Sequence, residues 1–193
     1  MITQRIARLV ERGVRAEKIL AVTFTNKASI EMGERLAHLT GPHIAKRVNP
    51  STFHSFGVRF LGEENRALGY DGRFVIFDQG DCLGILRDLA RRELGVDKAM
   101  DIAALLTRIS LHKNAFRAPE DVKPTANEYD AVARDLYPLY EKTLSSMHAV
   151  DFDDLVVAPV RIMMKHEHIR QKWQNRFSYL LVDEFQDTNK SQL

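Results

Sequence analysis

The chain has 193 residues, 45% of them hydrophobic and 28% charged, with a formal net charge of +2. That length allows one ordinary domain or two small ones around a sizeable core, and the near-neutral balance does not by itself mark a nucleic-acid binder. Cys82 is the single cysteine, so no internal disulfide can form and the reducing cytoplasm is the expected compartment. No apolar run approaches the ~20 residues needed to span a bilayer. Residues 1–13 lack the uninterrupted apolar core of a secretory signal, so no membrane partner is expected.

Residues 2–12 place Ile2, Ile6, Leu9 and Val10 on one face and Arg5, Arg8 and Arg12 elsewhere, which predicts an amphipathic helix ended by Gly13. "KILAVTFT" (18–25) is short, apolar and β-branched, as a buried strand is. After it Ala28, Met32, Leu36 and Leu39 recur at helical spacing until Gly41-Pro42. "NPSTFHSFGVRFL" (49–61) opens on a turn signal, continues as a brief strand and enters a helix near Phe56. From about 80 to 148 the period is helical throughout, with "NAFRAPEDVKP" (114–124) as the clearest loop. Pro138 lies inside the last of those helical patterns and is expected to kink or split it. "VDFDDLVVAPVRIMM" (150–164) begins a further helix, and "YLLVDE" (179–184) reads as a strand. Strand–helix units at both ends with helices between them predict an α/β fold: a parallel sheet holding both strands, with an all-α insertion. The expected division is 1–54 with 175–193 for the sheet domain and 55–174 for the insertion.

Ligands of open parallel sheets bind beyond the carboxyl ends of the strands. Asp183 and Glu184 stand at such an end, where one carboxylate can hold a hydrated Mg²⁺ and its neighbour can orient or deprotonate a water for attack on a phosphate. The plainer reading is that the acids merely carry the strand into solvent. "TFTNKASIEM" (23–32) has the same layout: Thr25, Asn26 and Lys27 precede a helix whose first N–H groups could meet a phosphate. Phe24 beside them could stack on a base, or it could simply pack in the core behind a capped helix. Thr52, Phe53 and His54 repeat the theme. Other patterns carry less. Asp151 and Asp154 have the spacing of a capping box, and His166 and His168 lie two apart, which does not share a helix face. Neither a G-x-G-x-x-G nor a G-x-x-x-x-G-K-[ST] loop occurs in these residues.

Three of these segments together resemble the superfamily 1A helicases, the family of UvrD, Rep and PcrA. "ILAVTFTNKASIEMGERL" resembles its motif Ia, "STFHSFGVRFL" its motif Ib, and "YLLVDEFQDTNKSQ" its motif II, the Walker B segment. "VDFDDL" also resembles a segment that the family carries ahead of motif II. The resemblance implies a partial RecA-like P-loop NTPase domain with a helical subdomain 1B inserted, from an ATP-driven motor that moves 3′ to 5′ on single-stranded DNA. In that reading Asp183 helps to hold Mg²⁺ through water and Glu184 activates the hydrolytic water. Gln186 and Asp187 couple the ATP site to neighbouring motifs, and Phe24, Thr25, Asn26, Thr52 and His54 line the single-strand path, with single/double-strand junctions as further partners. Lys113, Arg117 and Lys123 become candidate contacts to DNA phosphates, against the plainer reading of a solvated loop. Ser29 stands where motif Ia more usually has alanine. The family's Walker A loop and second motor domain have no counterpart in these residues, so the expectation is a helicase fragment without ATPase activity of its own. The competing expectation is a standalone, non-catalytic module that binds DNA or a helicase.

Overall fold

The computed structural model describes residues 2–48, 50–70, 72–95, 100–189 and 191–192. Two compact units emerge, Met1–Phe60 with Arg161–Thr188 and Leu61–Val160 with Asn189–Leu193. The chain passes from one to the other inside two helices, α4 (Phe53–Glu63) and α8 (Asp154–Lys165), and a third time between Thr188 and Asn189.

The first unit is built on three parallel strands. β1 (Ile19–Thr23) is buried at every position and lies between β2 (Ser51–Thr52) and β5 (Tyr179–Val182). Val22 pairs with Ser51 on one side and with Val182 on the other, so both expected strands share one parallel sheet. α1 (Ile2–Glu11), α2 (Asn26–Thr40) and α3 (Pro42–Val48) supply Ile6, Met32, Leu36, Ala45 and Val48 to a core with Ile19 and Ala21. The Gly41-Pro42 stop therefore ends one helix and starts another. Gly41 takes φ +86, open to a residue without Cβ, and proline suits the first turn of α3, where no N–H partner is needed. Asn49, from the expected turn before β2, lies outside the described residues. Strand β5 is less buried than its apolar sequence suggests, with Leu180 64% exposed.

The second unit is helical. α5 (Gln79–Glu93), α6 (Ile102–Asn114) and α7 (Glu128–Ser146) bury Cys82, Leu86, Leu105, Ile109, Leu136, Tyr137 and Tyr140 in one cluster. Each helix starts on a short polar cap: Asp78 in a reciprocal capping box, then Asp101, then Asn127. α7 runs unbroken through Pro138, so of the expected kink or split the split does not occur. The core contacts of Leu136, Tyr137 and Tyr140 hold the helix on both sides of the proline against the one backbone bond it removes. A two-strand parallel pair, β3 (Val75–Ile76) with β4 (Ala149–Val150), completes this unit; two-residue strands carry no period that a sequence reading could detect. The final helix, α9 (Glu167–Arg176), belongs to the first unit, where Trp173 packs its ring 4.7 Å from that of Phe60.

Candidate functional site

The three strands of the first unit end side by side. Thr23 pairs with Thr52 in register, and Val182 is level with Val22. The residues that follow each strand therefore emerge on one edge of the sheet, where parallel sheets bind ligands.

Past β1, Thr25 takes an extended backbone and its Oγ1 accepts the N–H of Ala28 at 3.1 Å, which caps α2. Thr25, Asn26 and Lys27 are exposed, and Phe24 is half-buried. Past β2, Thr52 is 4% exposed and does the same for α4, accepting the N–H of Ser55 at 3.1 Å. Its own hydroxyl donates to Ser55 Oγ at 2.9 Å. His54 is half-buried in the first turn of that helix. Phe24 and Phe53, each the first residue beyond its strand, bring their rings to a centroid distance of 5.5 Å at 60°. The two segments singled out separately in the sequence thus form one surface, with an aromatic pair between two helix N-termini.

Past β5, the N–H of Asp183 still donates to Val22 O at 2.9 Å, so this residue is held by the sheet. Glu184 then turns through the left-handed region, φ 51 and ψ 44. That conformation costs a side-chain-bearing residue about 1–2 kcal/mol, and strain of this kind concentrates at working sites. The turn directs the chain into a short 3₁₀ segment, Phe185–Asp187, and Gln186 Nε2 donates to Glu184 Oε2 at 2.6 Å. Asp183 is half-buried, while Glu184, Gln186 and Asp187 are exposed. A cavity of about 210 Å³ beside the two acids is lined by Ile2, Thr3, Ala28, Glu31, Met32 and Arg35. Glu31 and Arg35 form a pair one turn apart on α2, 3.6 Å between charges. The sequence reading passed over Thr3, Glu31 and Arg35, because an i, i+4 pair on an exposed helix face looks like ordinary surface.

Among the described residues no group of three or more His, Cys, Asp and Glu could enclose a metal ion. His166 and His168 lie with their rings 5.9 Å apart, edge to face, outside any such group.

A family model, the UvrD/REP helicase N-terminal domain, matches residues 1–193. The chain belongs to this family. It is 39% identical over 194 aligned positions to the ATP-dependent DNA helicase Rep of Escherichia coli, covering all of this chain and 29% of that protein. Against the ATP-dependent DNA helicase PcrA of Staphylococcus epidermidis it is 37% identical, again over its whole length and 26% of the relative. PcrA of Staphylococcus aureus gives 36% over the same share. The chain thus spans less than a third of each of these relatives.

One expectation for this UvrD/REP chain needs correcting. Lys113 is no solvated or phosphate-facing cation: it has no solvent exposure and its ammonium lies 2.8 Å from Asp151, 2.7 Å from Asp154 and 3.1 Å from Glu141. It follows a helical period in which its neighbours Ile109 and Leu105 are core residues, so α6 carries it inward. Burial alone would favour the neutral amine, but the surrounding carboxylates outweigh it and raise the pKa. Tyr140 also donates to Asp151, at 3.0 Å. Asp151 and Asp154 do form the expected reciprocal cap, with N–H to carboxylate distances of 3.2 and 2.9 Å. Arg117 and Lys123 instead line an open groove of about 650 Å³ with Arg108, His112 and Val122. Among the described residues no helix is long and apolar enough to cross a membrane.

Proposed function

We propose that this chain is the front part of an ATP-dependent 3′ to 5′ DNA helicase, working in the cytoplasm, and that the shared strand-end edge is its working face. The observation that carries the reading is the convergence of the strained acid turn after β5 with the two capped helix N-termini after β1 and β2, in a chain of the UvrD/REP family. The sheet-bearing unit, Met1–Phe60 with Arg161–Thr188, serves as the motor subdomain and the helical unit, Leu61–Val160 with Asn189–Leu193, as subdomain 1B, a division close to the expected one at 54 and 175 with α9 on the motor side.

Asp183, fixed by its backbone bond to β1, holds the water shell of Mg²⁺. A Mg²⁺ held there would supply neutralisation of charge on the phosphates of ATP. Glu184 accepts a proton from the attacking water. The Gln186 amide already holds one of its carboxylate oxygens and so sets the direction of the other. Asp187 and Gln186 link this turn to the rest of the motor. Phe24 stacks on a base of the single strand, Thr25 and Asn26 present the α2 N-terminus to phosphate, and Thr52 and His54 shape the path beside them. Single/double-strand junctions are the natural substrate of such an edge. Hydrolysis also needs a P-loop lysine and an arginine finger to stabilise the transferring phosphoryl group, and the 193 residues hold no G-K-[ST] loop. Alone, the chain therefore has negligible ATPase activity. A standalone binding module would share the DNA face and lack only the turnover.

The test joins this chain to a polypeptide supplying the G-K-[ST] loop and second motor domain, with Glu184→Gln as the variant. Loss of a positioned proton acceptor lowers kcat by roughly 10²- to 10⁴-fold with KM for ATP little changed. A variant as fast as wild type would remove Glu184 from the reaction.

A further inference from the structure

The helical unit carries an open groove that the motor reading leaves unused. α6 turns Leu105, Ile109 and Lys113 into the core, so Arg108, Leu111 and His112 fall on its outward side, with the C-cap residue Ala115 next in line. Phe116 then takes φ 57, in the left-handed region, and the N–H of Arg117 donates back to His112 O at 3.0 Å. The chain reverses there, and residues of the 117–125 stretch form the opposite wall of a groove of about 650 Å³. That wall is held in place. Tyr137 Oη donates to Arg117 O at 3.1 Å, and Asp121 caps its own short turn by accepting the N–H of Ala118 at 3.2 Å. Leu111 is 65% exposed, and with Ala115, Val122 and Pro124 it gives the groove an apolar lining.

The charges of the groove are of two kinds. Arg108 is committed: its Nε donates to Asp130 at 2.6 Å and its Nη1 to Ala104 O at 3.1 Å. Arg117 and Lys123 are exposed and form no ion pair among the described residues. Burial and the Arg117 guanidinium hold His112 below the ordinary histidine range, so at neutral pH the unpaired positive charge is that of Arg117 and Lys123. A phosphodiester chain gains nothing from an apolar lining, and the carboxylates of Asp121 and Asp130 stand in that lining to repel it. A peptide with a carboxylate beside a branched apolar side chain meets both features. Arg117 can take the carboxylate through two N–H groups, while Leu111 and Val122 lose water to the apolar neighbour. We propose that this groove is a docking site for an acidic segment of a partner protein, its Asp or Glu held by Arg117 and Lys123 and an adjacent apolar side chain seated on Leu111 and Val122. The volume falls in the range of roughly 300–1,000 Å³ in which pockets hold compact ligands. The site stands or falls independently of the nucleotide reading, since every residue in it belongs to the helical unit.

Fluorescence anisotropy tests it on the 193-residue chain with a labelled peptide in which Asp and Leu alternate. Wild type binds this probe with a Kd below about 100 μM. Arg117→Glu combined with Lys123→Glu lowers the affinity by at least about tenfold. Leu111→Ser lowers it by roughly fivefold to tenfold. All three side chains are exposed, so these variants keep the wild-type circular dichroism spectrum. Arg91→Glu with Arg92→Glu makes the same change of net charge on α5, outside the groove, and at physiological salt leaves the affinity within about twofold. A second peptide, with Ser in place of every Leu, binds wild type at least about tenfold more weakly. No binding of the first peptide overturns the site. Equal binding of the serine peptide overturns it as well, as does an affinity that survives the double variant or falls equally in the α5 control. A labelled DNA that loses affinity in the double variant, with no binding of the peptide, would make the groove a phosphate surface and overturn it too.

Discussion

Asp151, Asp154 and Glu141 surround an ammonium with no solvent exposure, whereas Asp183 and Glu184 end a strand at a surface cavity where an amide is the near partner. The first group is a finished object. Its cation, its tyrosine hydroxyl and its backbone caps all come from the same unit. The second is held in place by backbone, through the Asp183 bond to Val22 and the left-handed turn at Glu184, with its carboxylates largely open. The two groups of acids thus differ in what already occupies their oxygens: an ammonium, a tyrosine hydroxyl and backbone N–H groups in the first, one side-chain amide in the second.

The largest expected effect lies in the finished group. Lys113→Met leaves three acids around an apolar side chain, and stripping one partner from a buried ion cluster costs about 3–5 kcal/mol. Urea unfolding followed by circular dichroism measures it. A loss below 1 kcal/mol would mean that water reaches the cluster and that the contrast between the two groups fails. Next comes Tyr140→Phe, which removes the hydrogen bond to Asp151; bonds to charged groups are worth about 1.5–3 kcal/mol.

The same cluster predicts a pH effect of definite sign. Burial, with Asp151 and Glu141 nearby, pushes the Asp154 carboxyl up to about 7 from the usual 3.8, against the pull of Lys113. A proton held more tightly in the folded chain than in the unfolded one stabilises fully below the unfolded pKa and is lost as pH rises through the folded one. Wild type should therefore lose stability relative to Asp154→Asn between pH 4 and 8. Asp151, lowered by Lys113 against its own burial, has the opposite sign but is present in both proteins. A stability difference that stays flat with pH contradicts the assignment.

At the open site the stability effects should be small or reversed. Thr25→Ala removes the α2 cap and costs about 1 kcal/mol. Glu184→Gly relieves a left-handed strain of about 1–2 kcal/mol at an entropic cost of roughly 0.5–1 kcal/mol, so its unfolding midpoint should match or exceed that of wild type. A clear destabilisation would show that the Glu184 side chain is structural after all.

Much of the open site could be read in the sequence because its signals are local. An apolar β-branched run followed by "TN", or by paired acids, marks a strand end without any knowledge of its neighbours. The parallel pairing of β1 with β5 followed from those runs together with the strand–helix order at both ends of the chain. Lys113 could not be placed this way, since its partners Glu141, Asp151 and Asp154 are 28, 38 and 41 residues away and a lysine beside a proline-bearing loop looks solvated. The exposure of Leu180 on β5 escaped notice for the opposite reason, because composition reports what a residue could bury and not whether something covers it.

The most direct test of the open face is fluorescence anisotropy of labelled single-stranded DNA against this chain across a salt series, with wild type and Phe24→Ala. Binding that weakens linearly with log salt, and that loses roughly 1–3 kcal/mol in the variant as base stacking does, is the predicted result. A folded chain whose affinity is the same with and without the Phe24 ring would contradict the assignment of this strand-end edge to DNA.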